Sequence, residues 1–217
     1  MQRFHRYSLV TCIMLSLCLL MIGCTRNLKD MKSVYGWIND PDNGMIKTKT
    51  VEGIKLTVKY LPPEFLALKE AREDRAGRQT YDSLLTLYKR SHTFLLSIAS
   101  SENEVDNDPM YQGLEDYSAY KRRALTMNFD MNEYVSIKTS TQEFRPVLTS
   151  MENTYSLKGQ RNIYMVFTDT VAETELMQEQ ELDLVFNDEI FQTGINHFIF
   201  NQNDLGGMPA IKFENIN

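Results

Sequence analysis

Apolar and polar positions alternate most cleanly between residues 45 and 61. Ile54, Leu56, Val58 and Tyr60 alternate with Lys55, Thr57 and Lys59, the period of a strand with one wet face. Residues 45–51 form a second strand-like run, and Glu52-Gly53 between the two predicts a hairpin. Before it, 33–38 reads as a short helix closed by the turn formers of 39–44. After it, Pro62-Pro63 sets proline at a helix start and predicts a helix over 65–74. Tyr81, Leu84, Leu85 and Tyr88 then fall at i, i+3, i+4 and i+7, one apolar stripe of a second helix, with Lys89, Arg90 and His92 near the negative end of its dipole. Phe94, Leu96 and Ile98 alternate as a strand. Leu114, Tyr117, Tyr120, Ala124 and Leu125 suggest a third helix over 114–129.

From Glu133 the texture changes. Short β-branched or aromatic runs at 135–139, 144–154, 162–169, 182–186, 197–201 and 210–213 are set apart by Gly, Asn or Asp, as in an antiparallel sheet or sandwich. The whole predicts one α+β domain over 33–217: an N-terminal β-hairpin, about three helices inserted after it, and an antiparallel β-rich C-terminal half.

The first 23 residues follow a different pattern. Arg3 and Arg6 stand without any acid before an apolar run over 9–22, the layout of a secretory signal peptide. The run is shorter than the roughly 20 residues a membrane-spanning helix needs. Its end, Leu20-Met21-Ile22-Gly23-Cys24, resembles the lipobox of bacterial lipoproteins, with Met21 where Leu is preferred. That resemblance covers residues 1–24. It implies cleavage before Cys24, a diacylglycerol on the Cys24 sulfur and acylation of the new amino group, with 24–32 as a lipidated tether. Each buried methylene adds about 0.8 kcal/mol of membrane affinity, so two or three chains hold firmly where one does not. Thr25 follows the cysteine where lipoproteins retained at the inner membrane of some Gram-negative bacteria carry Asp, so the same resemblance implies the outer membrane, facing the periplasm.

Charge narrows the partners. The chain carries 23 basic and 29 acidic residues; loss of 1–23 removes two arginines and leaves a net charge of −8, which disfavours nucleic acid or an anionic lipid surface. Cys12 and Cys18 leave with the signal, so the remaining chain has no disulfide and no thiolate metal site.

Little catalytic chemistry stands out. His92 and His197 lie far apart, outside any zinc spacing, and the alternation of 195–200 puts His197 on the solvent face opposite Phe198 and Phe200. No Gly-x-Ser-x-Gly and no phosphate loop is present; Gly206-Gly207 reads as a turn. Glu102, Glu104, Asp106, Asp108, Glu115 and Asp116 crowd one polar stretch, and Asp40, Asp42 and Gly44 partly match a calcium loop, but both lack its full pattern and read as solvated turns. Trp37, near the tether, is a candidate exposed ring. Asp82-Ser83-Leu84 and Asp169-Thr170-Val171 are similar to the short acceptor motif of periplasmic O-glycosylation.

These readings favour a membrane-anchored envelope lipoprotein, a non-enzymatic binding or assembly component that meets another envelope protein, with no cofactor, metal or catalytic residue assigned. A glycan- or peptide-binding lipoprotein is the alternative, with an exposed aromatic platform expected on the C-terminal sheet beside an acid or amide. A third reading is a carboxylate-type hydrolase acting on cell-wall or exogenous sugars, which needs two acids converging in one cleft.

Overall fold

The computed structural model describes residues 27–28, 30–74, 77–101, 108–140, 142–152, 159–168, 176 and 179–211. Cys24, residues 102–107 and Asp169-Thr170-Val171 lie outside them.

Helix α1 (Met31–Asn39) starts at a reciprocal cap, in which the Asp30 side chain accepts from the Ser33 amide and the Ser33 hydroxyl from the Asp30 amide, satisfying donors the helix itself cannot. The hairpin of β1 (Ile46–Val51) and β2 (Ile54–Leu61) forms as the alternation predicts. Its two-residue turn places Glu52 at φ 49° and Gly53 at φ 77°, the primed geometry that matches strand twist. Pro63 opens α2 (Pro63–Glu73), α3 (Arg78–Tyr88) follows, and β3 (His92–Ser100) returns against β2.

The third helical stretch is broken. Helix α4 (Tyr117–Leu125) passes into a π-helical turn (Thr126–Asp130) and a short α5 (Met131–Tyr134), and then β4 (Val135–Lys138), β5 (Glu143–Phe144), β6 (Leu148–Met151), β7 (Arg161–Phe167), β8 (Glu181–Asp188) and β9 (Gly194–Asn201) complete the strands before the single-turn α6 (Gln202–Leu205). Pro146 lies between β5 and β6, so the run expected over 144–154 is two strands in two different sheets.

All strand pairs are antiparallel, in a five-stranded sheet ordered β1-β2-β3-β7-β6 and a four-stranded sheet ordered β5-β4-β8-β9. Sequence order is therefore a poor guide to sheet membership. The helices are not an insertion between a hairpin and a separate later sheet, because β6 and β7 finish the sheet that the hairpin begins. Of the strand expected over 210–213, only Ala210 and Ile211 are among the described residues, and there Ile211 forms an isolated parallel bridge with Leu28.

One core joins the sheets. Leu56, Val58, Phe94, Leu96 and Met165 of the first meet Ile137, Leu184, Phe186, Phe198 and Phe200 of the second, all buried. A second cluster lies on the other face of the five-stranded sheet, where Val34, Phe65, Leu68 and Tyr81 of the first three helices pack with Leu61, Leu95 and Tyr164. The apolar stripe read in α3 is therefore used as predicted. On edge strand β1, inward-facing Lys47 and Lys49 lay their ammonium groups 5.8 and 5.6 Å from the rings of Phe200 and Phe198. They cover the open side of the core with charge, a device that also discourages edge-to-edge association.

Candidate interaction surface

The residues leading into α4 build a small rigid frame. Asp108 is ion-paired with Arg161 of β7 and accepts the Met110 amide at 2.9 Å, and Met110 is buried in the core. A turn over 108–113 ends at Gly113, whose φ of 66° suits glycine. Asp116 caps α4 by accepting from the Ala119 amide at 2.7 Å.

Arg123 ties this frame to the β8–β9 loop. Its guanidinium donates to the carbonyls of Pro109 (2.8 Å), Met110 (3.3 Å) and Gln112 (2.8 Å), and on its other side to Ile190 (3.2 Å), while lying 4.9 Å over the Phe191 ring. A planar guanidinium with donors on three nitrogens can hold carbonyls on two sides at once; an ammonium, with its three donors on one nitrogen, cannot span them. Burial pulls the Arg123 pKa down, and nearby Asp188 partly restores it. Asp188, fully buried, accepts the amides of Ile190, Phe191 and Thr193 together with the Thr193 hydroxyl, so one carboxylate shapes the whole loop.

What the frame presents is aromatic. Tyr111 and Tyr120 stack at 5.1 Å and 9° between planes, and Tyr120 stacks on Tyr117 at 6.0 Å and 22°. A hydrogen bond with Tyr111, followed by burial, raises the Tyr120 pKa. Tyr111, Leu114, Glu115, Asp116, Tyr117 and Tyr120 line an open cleft of about 590 Å³. Along the helix, Tyr117, Lys121, Leu125 and Phe129 recur every four residues and all are exposed, Tyr117 by 77% and Phe129 by 72%. At 1.5 Å per residue they extend over about 18 Å. The π-helical turn explains the end of this ridge: its wider winding lets Met127 and Met131 reach the core while Phe129 points to solvent. Beside it runs the edge strand β6, with exposed Val147 and Leu148 next to and within it.

Here the amphipathic reading of 114–129 fails in part. Tyr120 and Ala124 pack against the core as expected, but Tyr117 and Leu125 face solvent, and the fully buried contacts come from Met127 and Met131. Stacked rings lie beside Glu115 and Asp116 on α4 and its leading loop, not on the C-terminal strands where the binding alternative expects them. Trp37 is half-buried against both clusters and offers no platform. Arg123 and Asp188 were not singled out by the sequence; the spacing from Asp188 to Thr193-Gly194 was the available trace of a carboxylate-organised loop.

The other candidates fall elsewhere. His197 is exposed, opposite Phe198 and Phe200 as the alternation predicts, with Nδ1 2.7 Å from Asp183. His92 turns inward beside Tyr60 and Phe94. Asp40 accepts the Asp42 amide at 3.1 Å in a tight turn closed by Gly44 at φ 73°. Asp82 pairs with Arg78, and the Ser83 hydroxyl donates to the Gln79 carbonyl within α3. Among the described residues, no group of three or more His, Cys, Asp or Glu could hold a metal ion, and no helix is long and apolar enough to cross a membrane.

No family model matches the chain, and no curated protein does. Two solved structures are similar in outline. A protein of unknown function from Burkholderia pseudomallei is 7% identical at a TM-score of 0.38, over 82% of this chain and 88% of that one. A DUF4426 family protein from Pseudomonas aeruginosa is 10% identical at 0.36, over 72% and 92%.

Proposed function

We propose that this chain is a bacterial envelope lipoprotein, anchored through lipid on Cys24 to the outer membrane and facing the periplasm. In this reading its α+β domain, with the two sheets packed as a sandwich, is a non-enzymatic binding or assembly component that meets a protein partner through the α4 ridge. The observation that carries the binding role is the exposed row of Tyr117, Leu125 and Phe129 with Tyr111 beside it. Large rings are uncommon in such exposure, and tyrosine is enriched where surfaces are buried against partners. Lys121 in the row favours a partner carrying acidic groups there.

A second reading is favoured by the tyrosine stack itself. Three parallel rings beside Glu115 and the open cleft offer flat faces to a sugar ring, with a carboxylate in reach of its hydroxyls.

Photo-crosslinking residues placed at 117 and 129 of the full chain, expressed in its bacterial host, separate these readings. The protein-partner reading expects a discrete adduct to one envelope protein at both positions, diminished by Leu125→Ala. Adducts to cell-wall glycan at 117 would support the second reading. Identical adducts from exposed Leu87 on α3, or none at all, would defeat both.

A further inference from the structure

On the helix-covered face of the five-stranded sheet, Lys59, Leu95 and Tyr164 form one cross-strand row, set by the registers Lys59↔Leu95 and Leu95↔Tyr164. Over that row α1 and α2 leave a cavity of about 240 Å³, walled by Ile38 and Phe65, with Lys69 and Glu152 also in its lining. Apolar Ile38, Leu61, Phe65, Leu66 and Leu95 share this lining with two lysines, Lys59 and Lys69.

Lys59 is half-buried, and burial lowers its pKa. Its ammonium donates to the Asn39 side-chain oxygen, and among the described residues it forms no ion pair. Lys69 stands close enough to Tyr164 for its charge to act on the phenol. The one carboxylate in the lining, Glu152, already has an oxygen engaged by the Asn162 side chain at 2.7 Å. With two lysines and one carboxylate in its lining, the cavity carries one positive charge in excess, and the partly desolvated Lys59 ammonium has a neutral amide as its hydrogen-bond partner. An anion entering the cavity would supply the missing charge. A Lys59 whose stem merely covers the sheet would not need one.

We propose that this cavity binds a small apolar monocarboxylate, with Lys59 and Lys69 on the carboxylate and Ile38, Phe65, Leu95 and Tyr164 around the apolar body. The volume lies below the roughly 300–1,000 Å³ of pockets for drug-sized ligands, so the occupant is compact. This site shares no residue with the α4 ridge.

The test uses the full chain in lipid nanodiscs, titrated calorimetrically with phenylacetate and hexanoate, with the neutral phenylacetamide and empty nanodiscs as controls. We expect saturable binding of the carboxylates, at least about tenfold tighter than the amide. Lys59→Met keeps the apolar stem and removes the charge; it should weaken carboxylate binding at least about tenfold while thermal unfolding stays unchanged or rises. Lys69→Met should weaken it in the same direction and serves if Lys59→Met does not fold. Absence of saturation up to about 10 mM, equal affinity for acid and amide, or unchanged affinity in both variants would overturn the proposal.

Discussion

Acidification should destabilise this domain through a single buried imidazole. His92 opens β3, is 2% exposed, and packs against the rings of Tyr60 and Phe94. Its Nδ1 lies 3.4 Å from the Tyr60 hydroxyl. Burial lowers its pKa to about 4 from an ordinary 6.5, with a hydrogen bond to the Leu176 backbone acting the other way. The folded protein therefore binds this proton less readily than the unfolded chain. His92 imposes no penalty above pH 6.5, and its penalty grows as pH falls from 6.5 to 4. At about 1.4 kcal/mol per pH unit the full loss is roughly 3 kcal/mol. That is a large part of a typical domain stability of about 5–15 kcal/mol. Urea unfolding of wild type and His92→Leu at pH 8, 6.5, 5 and 4 isolates the effect, because the carboxylates titrate alike in both. Loss of the Tyr60 contact and any cavity shift the variant by a similar amount at every pH and cancel in the slope. The difference in unfolding free energy should change by roughly 3 kcal/mol between pH 8 and pH 4, to the variant's advantage in acid. Parallel pH profiles would show that the imidazole is not held neutral by burial.

Three further substitutions probe the frame behind the ridge and the first hairpin. Arg123→Lys should lower urea stability by about 2–3 kcal/mol, close to Arg123→Ala, because an ammonium cannot reproduce the fork over three carbonyls of 109–112 and Ile190; near-complete retention by lysine would contradict the clamp. Asp188→Ala strips acceptors from three amides and the Thr193 hydroxyl and should remove about 3 kcal/mol in the same assay. Glu52→Asn places a residue tolerant of positive φ before Gly53 and should raise the melting temperature, by roughly 0.5–1 kcal/mol in free energy.

The legible parts of this fold were those written in local periodicity. The 54–60 alternation fixed which side chains of β2 face the core, and the same logic put His197 outward and Phe198 and Phe200 inward. The α3 stripe was equally direct. Sheet membership was not legible, since β7 pairs with β3 across more than sixty intervening residues and nothing near either strand encodes that choice. The helix at 114–129 misled because its tyrosines have the same spacing whether buried or exposed. Its frame turns on the π-helical turn, the Arg123 fork and the Asp108–Arg161 ion pair, all of which depend on groups brought together by folding. The Lys59–Leu95–Tyr164 row was hidden for the same reason: each strand contributes one residue, and the chemistry exists only across the register.

The proposed anchor requires residues 1–24 to lead the chain to a membrane, and mass spectrometry of the membrane-fraction protein from wild type and Cys24→Ala tests this most directly. Wild type should lack residues 1–23 and carry acyl mass on Cys24, while Cys24→Ala should show neither the acyl mass nor that cleavage. An intact, unacylated N-terminus in wild type would contradict the lipid anchor and with it the placement of the α4 ridge before an envelope partner.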